Sequence, residues 1–346
     1  MTATETGASF ALRTADRIQN VLSSLLEPGQ PVALVNFPNH PNPGDNAIWL
    51  GTQAVLRRIG VSVGYAGTWS SFSAEAMREA VGDGPLLLNG GGNFGDLYAG
   101  QQGLREHVLE HCRDRRIVQL PQSICFRDAH NLERMRRLCA AHPDFTLIAR
   151  ERQSYDLARN AFDVRTLLAP DMAFGLGPLD RPAPARRGLF WLVRSDAERV
   201  ERTRPLPGLP AGDWPSGDEA EGISARTQRL WQLNRRLVEH VRADPRRAAR
   251  RWRALASTFE PLAAVWVQRG IDLVASTRIL VTDRLHAHIF AILLGVPHVV
   301  LDNSYGKVRS TFDTWTHASG LATWAETTDD ALREAATLMQ HCEEPS

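Results

Sequence analysis

Apolar residues recur at helical spacing over residues 11–26 (Leu12, Ile18, Val21, Leu22, Leu25, Leu26), and the pattern stops at Pro28-Gly29. From there the period changes. Short apolar runs, of the kind that parallel strands show when both faces are covered, stand at 32–35, 61–65, 86–88, 117–120, 145–149 and 165–168. Between them, residues 47–59, 74–81, 104–112, 132–141 and 153–161 return to helical spacing. Strands alternating with helices of this length predict right-handed βαβ units and a parallel sheet. Gly and Pro then crowd residues 175–184, which reads as a linker. Beyond it come a strand at 189–193, a Pro/Gly/Asp-rich loop at 203–222 and a mostly helical stretch at 223–275, broken at Pro245 and Pro261. A strand at 278–281, an apolar helix at 285–294 and a strand at 299–301 follow. The expected class is α/β, with two Rossmann-like domains (residues 1–177 and 185–346) facing a cleft.

Length and composition fit that division. A chain of 346 residues suits two cores rather than one, and 43% hydrophobic with 23% charged residues describes an ordinary folded protein. The net charge of +1 offers no overall attraction to nucleic acid, so any anion must be recognised by a local cluster. Cys112, Cys125, Cys139 and Cys342 lie far apart with no CxxC pair, which argues against a zinc site or a disulfide framework and suits a reducing cytosol. The N-terminus lacks a basic segment followed by an apolar one, and no stretch approaches the roughly 20 apolar residues of a membrane span, so a cytoplasmic protein is expected. Arg242, Arg246, Arg247, Arg250, Arg251 and Arg253 form a basic run. It reads as a solvated helix face, with peripheral contact at the inner face of a membrane, near lipid-linked acceptors, as the alternative.

The candidate chemistry lies where predicted strands end. At 278–297 a strand finishes at Thr282-Asp283 and an apolar helix begins at once, so Thr282 or Asp283 is the expected N-cap. Arg284 and His286 then fall in the first helical turn, at the carboxyl edge of the sheet, where ligands bind and where free N–H groups favour anions. A guanidinium adds a planar fork for carboxylate or phosphate. The bland alternative is an Asp283–Arg284 ion pair with His286 as interface filler; His288 reads as packing. At 86–96, Gly90, Gly91 and Gly92 follow a buried strand and precede Asn93 and Asp96. They are expected to form an anion nest or a tight turn. The run is neither GxGxxG nor a P-loop, so it gives little support to dinucleotide or ATP binding. At 36–48, Asp45 or Asn46 is expected to cap the next helix, or the Asp45 carboxylate stands at the cleft mouth to accept a proton. Gln122 and Ser123 follow one strand, and Arg150 follows another as a second anion fork or a partner of Glu151. Ser304 and Lys307 follow the last strand, Lys307 as a phosphate contact or a solvated lysine.

Taken together, Asn42-Pro-Gly-Asp-Asn-Ala-Ile48, Gly90-Gly-Gly-Asn-Phe-Gly-Asp96, Pro121-Gln-Ser123, Ala149-Arg150-Glu151-Arg152 and Thr282-Asp-Arg-Leu-His-Ala-His-Ile289 resemble the polysaccharide pyruvyl transferase family. Asp302-Asn-Ser-Tyr-Gly-Lys307 is most similar to members working in bacterial exopolysaccharide synthesis. The resemblance implies a glycosyltransferase-B-like pair of domains, phosphoenolpyruvate as donor, and a pyruvate ketal formed on a sugar of a lipid-linked or polymeric glycan. It places Arg150, Arg284 and His286 at the donor. For a donor bearing both phosphate and carboxylate, two arginine forks beside a helix N-terminus make physical sense. His286 is expected to be the acid for C3 and Asp45 the base on the sugar. No cofactor or metal is expected. The chain departs from the family pattern at His288 and over 195–255. A nucleotide-sugar glycosyltransferase, reading its nucleotide through Glu260 or Asp272, is the rival enzyme on such a scaffold. A non-catalytic anion-binding protein is the rival of another class.

Overall fold

The computed structural model describes residues 7–182, 184–196, 198, 200–215 and 223–343. The architecture is mixed α/β, built on two parallel sheets. Helix α1 (Gly7–Ser23) opens the chain, and β1 (Pro31–Val35), α2 (Pro43–Arg58), β2 (Ser62–Gly67), α3 (Ala74–Val81) and β3 (Leu86–Leu88) follow. Next come β4 (Gly91–Gly95), α4 (Ala99–His111), β5 (Ile117–Cys125), α5 (Ala129–Ala141), β6 (Phe145–Ala149), α6 (Arg152–Ala161) and β7 (Arg165–Leu168). These strands form the first sheet in the order β2-β1-β3-β5-β6-β7, with β4 paired to β5. A 3-10 turn (Met172–Leu176) leads to β8 (Arg187–Leu192), β9 (Ala211–Gly212), α7 (Ala225–Arg242), α8 (Pro245–Ala256) and α9 (Phe259–Ala275). The chain ends with β10 (Thr277–Thr282), α10 (Leu285–Leu293), β11 (His298–Val300), α11 (Lys307–Thr314), β12 (Ala322–Trp324) and α12 (Thr328–Glu343). The second sheet runs β12-β11-β10-β8-β9. β1, β3, β5 and β6 are almost wholly buried because helices cover both faces, which is why they read as continuous apolar runs.

Four local expectations need correction. Helix α2 starts at Pro43, earlier than the apolar spacing implied, because Asn42 caps it: its Oδ1 accepts from the N–H groups of Gly44 (2.9 Å) and Asp45 (3.4 Å), with Pro43 at the first helical position. The cap is therefore neither Asp45 nor Asn46; the Asn46 amide donates to the carbonyls of His40 and Asn42 instead. The glycine run is not a nest-like turn. Gly91–Gly95 is strand β4, parallel to β5. The Pro121-Gln-Ser123 segment is not a loop either, since β5 continues through it to Cys125, with its register against β6 shifted between Gln119 and Gln122. That irregularity accommodates Pro121, which has no N–H to give a ladder. Finally, the helical break after α8 falls at residues 257–258, not at Pro261. Pro261 occupies the first turn of α9, where the backbone N–H has no intrahelical partner to lose.

The segment that read as a linker from 175 begins as packed structure. A Cβ on Gly51 of α2 would stand 2.0 Å from the Met172 carbonyl oxygen, and one on Gly175 2.5 Å from that of Gly51, so only glycines allow this crossing. Helices from the second half also cover the first sheet. Trp252 of α8 lies 4.9 Å, centroid to centroid, from Tyr65 of β2, and Phe259 of α9 stacks on Phe37 at 4.1 Å. One apolar cluster joins Leu34, Ile48, Trp49 and Phe174 to Phe259, Val267, Leu280 and Phe290. Among the described residues no helix is long and apolar enough to cross a membrane.

Candidate active site

A cavity of about 180 Å³ opens where strands of both sheets finish. Asn36 follows β1, Asn89 follows β3, Arg150 follows β6, Arg194 follows β8, and Arg284 with His286 follow β10; all line it. This is the carboxyl edge at which open α/β sheets bind ligands. Asn36 holds a left-handed backbone (φ 73°), a conformation that non-glycine residues adopt mainly as Asn or Asp and that concentrates at functional sites. Of the residues proposed from sequence, Asp45, Gly92, Asn93, Arg150, Arg284, His286 and Lys307 line the cavity, and Gly91, Asp96, Gln122, Ser123, Asp283 and Ser304 do not.

The first corner is built around a carboxylate that sequence reasoning missed. Asp171 is fully buried at the start of the 3-10 turn, its Oδ1 accepting from the Ala173 N–H (2.8 Å). Its Oδ2 accepts from Arg150 Nη1 (2.7 Å) and lies 3.5 Å from His286 Nε2. Burial alone would raise the Asp171 pKa, but the His286 imidazole and the Arg150 guanidinium outweigh it and hold the carboxyl well below its usual range. Arg150 Nε donates to Ser123 Oγ (2.7 Å), and that hydroxyl donates to Glu151 (2.9 Å). Burial opposes the Arg150 charge, yet Asp171 and Glu151 keep it above its ordinary value. Arg150 is therefore paired chiefly with Asp171, and Glu151 stands farther off at 3.7 Å. On its other side the His286 ring lies against Gly44 in the first turn of α2, where a Cβ would stand 2.2 Å from Nδ1.

The second corner holds Arg284. Neither Thr282 nor Asp283 caps α10; Arg284 is itself the N-cap residue, and its N–H donates to Thr282 Oγ1 (3.0 Å). Nη2 donates to Asp213 Oδ2 (2.6 Å) and reaches Asp196 at 3.5 Å. Asp283 turns away, accepting from the Arg194 N–H (2.9 Å), and burial pushes its carboxyl up to about 6. The expected alternative for this stretch, an Asp283–Arg284 ion pair, is thus replaced by Arg284 pairs with Asp213 and Asp196.

Opposite stands a second cationic group. Lys307 Nζ donates to Glu198 Oε2 (2.6 Å) and to the Tyr305 hydroxyl (2.7 Å), and Arg194 meets the same carboxylate at 3.0 Å. Tyr98 Oη donates to the other Glu198 oxygen (3.1 Å). Burial disfavours charge throughout this group. It lowers the Lys307 ammonium to about 8, whereas Glu198, facing Lys307 and Arg194, is held down at about 2. The three glycines divide their roles here. A Cβ on Gly90 would strike the Pro121 carbonyl oxygen at 2.5 Å, and Gly91 carries φ 130°, so both serve strand packing. A Cβ on Gly92 would point among Arg150 Nη2 (3.1 Å), Tyr305 Oη (3.4 Å) and Lys307 Nζ (3.7 Å). Gly92 thus keeps open the space into which the cations face.

Asp45 sits at the mouth, with 35% of its side chain exposed and His40 Nε2 3.6 Å away. The residues outside the cavity support it. Gln122 donates to Asn93 Oδ1 (2.7 Å), Asp96 accepts from the N–H groups of Arg127 and Asp128 before α5, and the exposed Ser304 donates its N–H to the Glu198 carbonyl. His288 is buried against His298 (2.6 Å) and Thr316 (2.7 Å), away from the cavity. Glu260 pairs with Arg57 on the surface and Asp272 accepts from Gln268, so neither offers a nucleotide-reading acid at this site. Asp171, Arg194, Glu198 and Asp213 are the residues that sequence reasoning missed. Asp171 and Arg194 could have been found by the strand-end rule, since they closely follow β7 and β8. Glu198 lies in an irregular segment, and Asp213 directly follows β9, a strand of two residues that is too short to be read from the sequence. Among the described residues no group of three or more His, Cys, Asp or Glu is placed to hold a metal ion.

Several buried cations thus converge on a space sized for a small ligand, backed by carboxylates that fix their orientation. Such an arrangement suits an anion that engages more than one fork. Comparison with known proteins places it. Over 316 residues the chain is 33% identical to pyruvyl transferase 1 of Schizosaccharomyces pombe, covering 87% of this chain and 74% of that protein. General stress protein 30 of Bacillus subtilis is 24% identical over 318 residues, covering 88% of this chain and 84% of that one. A solved structure of a functionally uncharacterized Klebsiella pneumoniae protein shares the fold, with a TM-score of 0.58 at 17% identity, covering 91% of this chain and 99% of that one. The sequence profile described as polysaccharide pyruvyl transferase matches residues 42–305. The chain belongs to the polysaccharide pyruvyl transferase family.

Proposed function

We propose that the chain moves the pyruvyl group of phosphoenolpyruvate onto a sugar as a ketal, in the synthesis of an exopolysaccharide or another cell-surface glycan. The observation that carries this reading is the convergence of Arg150, Arg194, Arg284 and Lys307 on one cavity beside His286. Phosphoenolpyruvate presents a phosphate and a carboxylate close together, and separate cationic corners suit its two ends. In this reading the two sheets belong to two Rossmann-like domains, residues 1–177 and 185–346, arranged as in glycosyltransferase-B enzymes with the donor between them. The donor carries the chemistry, so no cofactor enters.

A sugar hydroxyl oxygen bonds to C2 while Asp45 accepts its proton. The electrons of the C2–C3 double bond take a proton at C3 from the His286 imidazolium, held by Asp171. A second hydroxyl then bonds to C2 as the C2–O bond to phosphate breaks; its proton restores His286, and Asp45 gives the proton it took to the departing phosphate. The acceptor is a polymeric or lipid-linked glycan met in the cytoplasm. Arg246, Arg250 and Arg253 form an outer face of α8, its apolar side being buried through Trp252 and Leu255, and that face meets the membrane surface carrying such an acceptor.

The test is release of phosphate from phosphoenolpyruvate in the presence of acceptor glycans, with the ketal detected by mass spectrometry. Release is expected only with acceptor; His286→Ala should abolish it, and Arg284→Ala should lower it by roughly 10²–10³-fold. Unchanged release in both variants defeats the assignment. Thermal stabilisation by a nucleotide but not by phosphoenolpyruvate would favour the glycosyltransferase alternative.

A further inference from the structure

Beside the cavity lies a surface groove of about 370 Å³ that the proposed chemistry does not use. Two glycines of α4, Gly100 and Gly103, form its floor, and Trp69 and Phe72 stand in its walls. Glycine is among the poorest residues for a helix interior, so two of them one turn apart need a reason. Packing accounts for the first, since a Cβ on Gly100 would come within 3.1 Å of the Trp69 ring. It does not account for the second, because nothing lies within 4 Å of where a Cβ on Gly103 would be. The floor is simply bare there. Trp69 is 41% exposed, an unusual state for so large an apolar side chain. It is nevertheless held in place. The Thr68 N–H and hydroxyl both donate to Ser71 Oγ (2.9 Å each), closing the turn that carries Trp69, and the Arg242 guanidinium sits 5.4 Å from the ring centroid. Tyr98, also 41% exposed, lines the reaction cavity, and the next residue, Ala99 at the start of α4, lines the groove.

We infer that this groove binds the sugar units of the acceptor glycan next to the one that enters the cavity. The inference rests on the reading of the acceptor as a glycan. A pyranose ring has an apolar C–H face that lies flat on an aromatic ring, and hydroxyl edges that a serine can address; Trp69 and Ser70 line the groove, and the Arg242 guanidinium stands beside the Trp69 ring rather than in the groove itself. A bare glycine floor admits a ring's thickness, and a pre-ordered turn reduces the entropy lost on binding. A longer acceptor thereby gains affinity that a single sugar lacks.

Binding of monosaccharides and of their longer homo-oligomers (glucose, galactose, mannose and N-acetylglucosamine series) should be measured by saturation-transfer NMR and intrinsic fluorescence, without phosphoenolpyruvate. The native chain is expected to bind one series more tightly as length increases. Trp69→Ala should weaken the longer members about tenfold, the loss typical when one aromatic anchor is truncated, and leave the monosaccharide unchanged. Gly103→Gln fills the groove at a position where nothing clashes and improves the helix, so the same loss in a chain at least as stable separates occupancy from misfolding. Length-independent binding, binding of no saccharide, or equal affinity in both variants overturns the proposal. Because this readout needs no turnover, a chain that binds long glycans through Trp69 but releases no phosphate from phosphoenolpyruvate would refute the proposed reaction and leave the groove standing.

Discussion

Arg150 and Arg284 face the same cavity from different sheets and are held in different ways. Arg150 and its partner Asp171 are each 1% exposed, locked by Ser123 on one side and the Ala173 N–H on the other. Arg284 leans on Asp213 and Asp196, whose side chains are 22% and 46% exposed. The first fork is part of the interior, where a lost partner leaves a stranded charge. The second rests on carboxylates that water can reach, so it can shift toward an anion at little cost to the fold. One corner gives position and the other gives adjustment.

Substitution at each corner should separate these roles. Arg150→Ala is expected to cost about 3–5 kcal/mol of stability in denaturant unfolding, because the buried carboxylates of Asp171 and Glu151 lose the guanidinium between them, and to abolish turnover as well. Arg150→Lys should not restore turnover, since an ammonium cannot span Ser123 and Asp171 as the fork does. Arg284→Ala should lower phosphate release by roughly 10²–10³-fold while changing stability by no more than about 1 kcal/mol. Equal stability losses at the two positions would erase the contrast.

Titration sharpens it further. The folded-state pKa of Asp171 is depressed, so its contribution to stability is fully present above the unfolded value of about 3.9 and fades as pH falls below it. The stability gap between the native chain and Asp171→Asn should therefore close as unfolding is measured at lower pH; a gap constant from neutral pH to acid would count against the pairing. The smallest effect concerns Lys307, whose ammonium is lost as pH rises through about 8. Apparent affinity for phosphoenolpyruvate should fall a few-fold across that range, and Lys307→Arg should remove the inflection. An inflection that survives the substitution belongs to another group.

The framework was legible because parallel strands covered on both faces leave apolar runs. β3, β6 and β7 fall where the runs predicted them, residue for residue, and β1, β8 and β10 within two residues. β4 was not legible, since its pairing is made by backbone and glycines carry no period. β9 was missed because it has only two residues, and β12 because Ala322-Thr-Trp324 is not a continuous apolar run. At the site, strand-end reasoning found Arg150, Arg284 and His286, which the structure gathers at one cavity. It did not find the acids behind them. Asp171 lies between the strand expected at 165–168 and the linker expected at 175–184, where no element was expected, and Asp213 directly follows the two-residue β9, which is too short to leave a pattern. Gln122 and Ser123 read as substrate contacts, whereas neither lines the cavity and their bonds run to Asn93 and Arg150.

The apolar cluster that runs from Leu34 and Ile48 to Phe259 and Phe290 has a consequence for how the molecule can be divided. A chain severed near residue 180 would leave α2 and Phe37 without the ring of Phe259, and α8 and α9 without the surfaces that hide Trp252 and Phe259 from water. Neither fragment should remain soluble by itself, yet the two expressed together should find each other and rebuild the cavity between them.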